Sequence, residues 1–251
     1  MPQLQKQISG FFLLLIASGC TMGNRHEEPQ TSEEVVLRAA ETWGGEERLD
    51  ELRGMRVEVI YEDHDYLVTH EIERPNRVRT TGGDQYVSLF DGERAGFSHR
   101  IDGDGNEVGP SLVGPEEAKD WELEIAWIFP AFFDHAAELL GKRDFEGDSA
   151  YLLRVQLPLG ATVDYYVDSE AFTTVRVEAT VTIREETYTM GRIYADYQSM
   201  DGILYPATML FYFGDQEPQT ATIDVVEFGV SFPEGHFELP EGLVAETPGE
   251  G

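Results

Sequence analysis

The chain has 251 residues, with 48 acidic against 18 basic side chains and a formal net charge of −30. Such a charge repels phosphate backbones and excludes nucleic-acid binding. An apolar content of 41% with 11% aromatic residues excludes a disordered chain, and the length suits one large domain or two small ones. The acids are spread along the chain rather than gathered in a tail, which reads as a solvated surface. The sharper alternative is a face that docks a basic envelope protein.

In chain order, Lys6 precedes an almost entirely apolar run from Ile8 to Ile16, and the small residues Ala17, Ser18 and Gly19 follow. This is the layout of a secretory signal. The run is too short for a bilayer, which takes roughly 20 apolar residues. Cys20, the single cysteine, comes directly after it. The stretch resembles a bacterial lipobox, which implies cleavage after residue 19, acylation of Cys20 and a palmitate-type membrane anchor. Thr21 stands where an Asp commonly marks inner-membrane retention, which favours an outer-membrane protein facing the periplasm. Residues 20–31 read as a lipidated tether.

Ser32-Glu33-Glu34 reads as a helix start, and Val35, Val36, Ala39, Ala40 and Trp43 follow at helical spacing up to Gly44-Gly45. A short helical turn spans 46–52. From Met55 the period changes to two. Strands are expected at 55–62, 66–73, 77–80, 86–90 and 94–100, with turns at Gly82-Gly83-Asp84 and Asp91-Gly92.

Gly114-Pro115-Glu116-Glu117 opens a second helix. Ala118, Trp121, Ile125 and Ile128 mark one face, and Pro130 breaks it. Phe132, Phe133, Ala136, Leu139 and Leu140 suggest a further helical piece ending at Gly141. Strands then run to the end, with another hairpin signal at Asp201-Gly202. The reading is one α+β domain over 32–240. It consists of a large curved antiparallel sheet of about 10–11 strands with helices covering the concave face. Residues 241–251 read as a disordered acidic tail.

Several blocks share a family pattern: Ala40-Glu41-Thr42-Trp43-Gly44-Gly45, Pro75-Asn76-Arg77-Val78-Arg79 and Phe90-Asp91-Gly92. Tyr165-Tyr166-Val167-Asp168, Asp201-Gly202-Ile203-Leu204-Tyr205-Pro206 and Phe237-Glu238-Leu239-Pro240 continue it. In this order and spacing the chain resembles the LolA/LolB/LppX-like superfamily, including the outer membrane lipoprotein-sorting group. The resemblance implies an unclosed half-barrel whose concave face holds lipid or lipoprotein acyl chains under a helical lid. It carries no catalytic residues and no cofactor.

A search for chemistry ends mostly in ordinary readings. His70-Glu71 lacks the second histidine of a zinc-protease helix, and His26, His64, His70, His99, His135 and His236 show no metal-ligand spacing. Each therefore reads as a surface histidine. Asp102-Gly103-Asp104-Gly105-Asn106 starts like a calcium loop, but Glu107 and Val113 stand at the positions of the required Gly and Glu, so a turn is expected. The cluster that remains is Trp121, Ile125, Trp127, Ile128, Phe129, Phe132 and Phe133. It is either core packing or an apolar lid over a lipid cleft, with opening expected near Pro130 and Gly141.

Overall fold

A computed structural model describes residues 28–62, 67–145, 147–183, 186–240 and 243–245. Cys20, the signal stretch and most of the tether lie outside these residues. The first helix, α1 (Ser32–Thr42), is capped by Thr31 rather than by Ser32. The Thr31 hydroxyl accepts from the Glu34 amide, and the Glu34 carboxylate accepts from the Thr31 amide. This reciprocal capping box satisfies two otherwise orphaned donors. Helix α2 (Glu46–Glu51) follows at the expected place, and α3 (Pro115–Ile128) starts with proline in its first turn.

The strands are β1 (Gly54–Tyr61), β2 (Leu67–Glu73), β3 (Arg77–Gly82), β4 (Tyr86–Phe90), β5 (Ala95–Ile101), β6 (Glu107–Val108), β7 (Ser111–Leu112), β8 (Ala137–Phe145) and β9 (Asp148–Gln156). They continue as β10 (Thr162–Asp168), β11 (Thr174–Ile183), β12 (Glu186–Ala195), β13 (Gln198–Met200), β14 (Ile203–Tyr205), β15 (Thr208–Phe213), β16 (Gln219–Phe228) and β17 (Val244–Ala245). One sheet has the order β17-β7-β5-β4-β3-β2-β1-β16-β15-β12-β11-β10-β9-β8, with β6 added beside β5. It does not close on itself, as the half-barrel expectation requires. It holds more strands than expected because short strands and an unexpected pair, β8 and β9, extend both edges. Among the described residues only β17 pairs in parallel, against β7, so 244–245 add a strand within the span read as a tail.

The segment 132–140 differs from the helical reading. Residues 131–133 form a single 3-10 turn, and the chain then enters β8, paired with β9. Apolar residues at 136, 139 and 140 fit a helical period, but β9 offers a row of backbone partners that a helix would leave unpaired. Gly141, expected as a helix end and hinge, sits inside β8 with φ 94°, at the break in register between Leu139 and Lys142. There glycine makes the bulge without a steric penalty.

Alternation puts one face of each strand inside. Met55, Val57 and Val59 on β1, Val68 and Ile72 on β2, and Val163, Tyr165 and Val167 on β10 all point into the concavity and are buried. Helix α3 crosses this face and joins both halves of the core. Ile125 and Phe129 pack with β1–β4 residues, and Leu123, Ala126, Trp127 and Phe132 pack with β9–β11 residues.

The C-terminal end of α3 is clamped by the sheet. The Ile125 carbonyl accepts from the Phe129 amide at 2.8 Å. The Tyr165 hydroxyl donates to the Ala126 carbonyl at 3.0 Å and accepts from the Ala131 amide at 2.9 Å. The Tyr194 hydroxyl donates to the Trp127 carbonyl, and the Tyr205 hydroxyl donates to the Ile128 carbonyl at 2.9 Å. The Phe129 amide makes the last regular helix bond, and the three carbonyls that follow Ile125, which have no partner within the helix, are each satisfied by a tyrosine hydroxyl.

Tyr165→Phe strands one buried carbonyl and one buried amide, whereas Tyr205→Phe strands one carbonyl. Each is expected to cost about 1–3 kcal/mol per stranded group. Urea unfolding should therefore rank Tyr165→Phe as the more damaging change. The reverse order would mean that water reaches this helix end.

Candidate functional site

The aromatic cluster read from the sequence comes together around the end of α3. Trp127 is 4% exposed, Phe129 1% and Phe132 3%. Trp121, Ile128 and Phe133 are half-buried. Trp43 from the α1 end packs edge-on against Phe129, Phe133, Tyr205 and Phe228, with ring centroids 5.1–6.2 Å apart. Trp121 stands apart from the rest, edge-on to Phe97 of β5 at 5.1 Å. The cavity lined by Trp43, Trp127, Ile128, Tyr165, Tyr194 and Tyr205 has about 30 Å³, room for one water. The residues expected to form a lid pack into or against the core on the concave face. Phe132 and Phe133 also line a groove of about 570 Å³ against Val36, Leu37 and Ala40 of α1.

Arg74 ties this corner together. Its guanidinium makes a two-pronged pair with Asp134 at 2.9 and 2.6 Å, donates to the carbonyls of Leu49 and Leu52, and lies 4.3 Å over the Phe129 ring. Few side chains other than arginine can do all three at once. α2 and the turn after α3 are thus joined through one planar fork.

Deeper along α3 the structure assembles a polar group that the sequence did not reveal. His70 on β2 is 4% exposed, contrary to its reading as a surface histidine. Its Nδ1 lies 3.1 Å from the Thr80 hydroxyl and 3.6 Å from a Glu124 carboxylate oxygen. Arg192 on β12 is 7% exposed, with its guanidinium 5.3 Å from the Trp127 ring and 4.5 Å from the Phe211 ring. Nη1 of Arg192 is buried without a partner. The signal that could have found these residues is parity. Arg192 falls between Met190 and Tyr194 on an inward stripe, and His70 falls between Val68 and Ile72.

α3 therefore bridges β2 and β12 across β1, β16 and β15. Four strand spacings of about 4.8 Å would separate the two walls by roughly 19 Å on a flat sheet. Glu124 contacts one wall and, a turn later, Trp127 contacts the other, so the sheet curls strongly here. Glu124 keeps 37% of its side-chain surface accessible while burial raises its pKa. The Glu124 carboxylate is thus reachable by solvent and yet desolvated, with His70 and the Arg192 charge near it. On the inward stripes of β1, β12 and β15, Tyr61, Met190, Phe211 and Phe213 are half-buried.

The remaining features are structural. Glu122, 4% exposed, accepts from the Leu159 amide at 2.8 Å and pins the turn between β9 and β10 to α3. The Asp102 carboxylate accepts from the amides of Asp104 and Asn106 at 2.9 and 2.8 Å, which closes the 102–106 turn on itself. On the outer face, Arg176, Glu178, Tyr166 and Tyr212 form a hydrogen-bonded cluster. Tyr212 lies over Gly191, where an added Cβ would meet its hydroxyl at 2.4 Å. Among the described residues no helix is long and apolar enough to cross a membrane, and no group of metal-ligating side chains is present.

Burial, with the Arg192 charge second, holds the His70 pKa down to about 3 from its usual 6.5. The unfolded chain takes up a proton below 6.5 that the folded chain refuses, so His70 removes stability as the pH falls towards 3. Glu124, which faces it, is raised and acts with the opposite sign above its ordinary range. Between pH 7 and 5 the melting temperature of the wild type should fall more than that of His70→Gln. Parallel curves would show that His70 is solvated.

Neither a scan against protein-family models nor a search of curated proteins gave a match. Among solved structures, the chain is similar to the LolA superfamily protein NE2245 from Nitrosomonas europaea. The identity is 10%, with 83% of this chain and 98% of that one covered and a TM-score of 0.48. It is also similar to an outer membrane lipoprotein-sorting protein domain from Vibrio parahaemolyticus, at 11% identity, 82% and 95% coverage and a TM-score of 0.47. A third similar structure is a DUF1329 family protein from Desulfovibrio piger, at 11% identity, 82% and 96% coverage and a TM-score of 0.47. The first two carry the names that the strand-and-turn pattern resembles.

Proposed function

We propose that this is a lipid-anchored cell-envelope protein, held by an acylated Cys20 at the outer membrane and facing the periplasm. It binds acyl chains of a lipid or lipoprotein in the cleft between α3 and the concave sheet. It works by binding, as a carrier or receptor, and not by catalysis. The observation that carries this reading is the single helix spanning an unclosed apolar trough. On the strands that this helix crosses, Tyr61, Met190, Phe211 and Phe213 stay half-buried. Apolar walls with a few placed polar groups are the usual composition of a small-molecule site.

In this reading the buried aromatics Trp127, Phe129 and Phe132 are the closed form of the lid. Opening exchanges their contacts for contacts with a ligand chain. The lid side chains belong to the core, so a charge at Phe132 would unfold the protein. Phe213, at the half-buried wall, is the better place to test binding.

Native mass spectrometry of the full chain, extracted from membranes in mild detergent, should show a lipid mass beyond the N-terminal acylation. That mass should vanish on organic extraction. Phe213→Asp should lower its occupancy several-fold while leaving the circular dichroism of the sheet unchanged. A clean ligand-free mass, persisting after incubation with envelope lipids, would overturn the carrier reading. It would leave an interaction module whose acidic surface meets a basic envelope protein. Separately, Cys20→Ser should release the protein from the membrane fraction and abolish incorporation of labelled palmitate.

A further inference from the structure

Arg192 is a costly residue for the place it occupies. It is 7% exposed, lies against the Trp127 and Phe211 rings, and leaves Nη1 buried without an acceptor. Leaving a charged donor unpaired in an apolar interior costs more than leaving a neutral one. A methionine or leucine at this inward position would pack the same space without that cost. Glu124 is near enough for the two charges to influence each other, yet it does not take up Nη1. Its own side chain turns instead towards His70 and keeps 37% of its surface accessible.

We propose that Arg192 is the headgroup anchor of the cleft. It would donate from Nη1 to an anionic oxygen of an amphiphile whose chain lies along Tyr61, Met190, Phe211 and Phe213. This rests on the reading of the cleft as an acyl site and adds the class of ligand: a carboxylate-headed or phosphate-headed single chain. Both heads present an oxygen that a guanidinium recognises strongly. Trp127 and Phe211 hold the guanidinium in place and exclude water, which strengthens the bond. The acidic outer surface does not forbid such a ligand. Exposed charges are screened over about 8–10 Å at physiological salt, whereas Arg192 would bond the head directly. Near Arg192 stand Glu124, whose pKa burial raises, and His70, whose pKa burial holds down to about 3.

Three probes with one chain separate head from tail: dodecanol, dodecanoate and dodecyl phosphate, each titrated into the delipidated full chain. Tryptophan emission and native mass spectrometry both report occupancy. Wild type should bind at least one anionic probe about tenfold or more tighter than dodecanol, as a bond to a charged group implies. The better of the two anions identifies the head as carboxylate or phosphate. Arg192→Met should bring the ratio of anion to alcohol close to one, and Arg192→Lys should retain a preference. Equal affinity of the wild type for all three would overturn the anchor while leaving an acyl cleft in place. Binding of none would overturn the acyl reading as well. An undiminished preference in Arg192→Met would place the anion elsewhere and overturn the assignment.

Discussion

The carboxyl end of α3 is the point on which the concave side depends. A helix that ends inside an apolar trough has carbonyls that water cannot reach, and leaving them bare would cost more than the burial of its side chains gains. Two strands of the large sheet and the separate β13–β14 hairpin supply the answer. Tyr165 of β10, Tyr194 of β12 and Tyr205 of β14 reach in with hydroxyls to the carbonyls of Ala126, Trp127 and Ile128. Because the donors sit on separate strands, the helix end also fixes how those strands stand relative to one another. Curvature of the sheet and seating of the helix are therefore one constraint.

That constraint explains why the interior combines such different chemistries. The clamped end collects Trp43, Phe129, Phe132 and Phe133 into an aromatic plug, held from outside by the Arg74–Asp134 pair. A turn earlier, the same helix passes between two walls that have curled towards it. There His70, Glu124 and Arg192 stand among the apolar side chains. Sequences agree with their folds at most positions, and departures from local rules gather where a site is built. The buried Arg192 is such a departure, whereas the half-buried charge of Arg74 is taken up by Asp134.

Much of this was legible without coordinates. Period-two runs gave the central strands, Asp91-Gly92 and Asp201-Gly202 gave two hairpins, and proline after Gly114 gave the start of α3. The cluster from Trp121 to Phe133 was recognisable as apolar cover for a curved sheet. The polar trio was not, because His70, Glu124 and Arg192 lie far apart in the chain and each is unremarkable in its own stretch. Only their inward parity within apolar stripes distinguishes them. Residues 132–140 failed for a different reason: their apolar spacing fits a helix and an edge strand equally, and the choice belongs to the partner strand β9.

The sequence by itself determined which segments form the central strands and hairpins and which face of each turns inward, because alternation and turn chemistry are local and cost free energy when violated. It also determined the basic-apolar-small layout ahead of Cys20. Only the tertiary structure decided how far the sheet curls, where α3 ends, and which charged side chains are left without solvent. Those outcomes depend on contacts between strands distant in the chain, and on backbone groups whose partners no local pattern names.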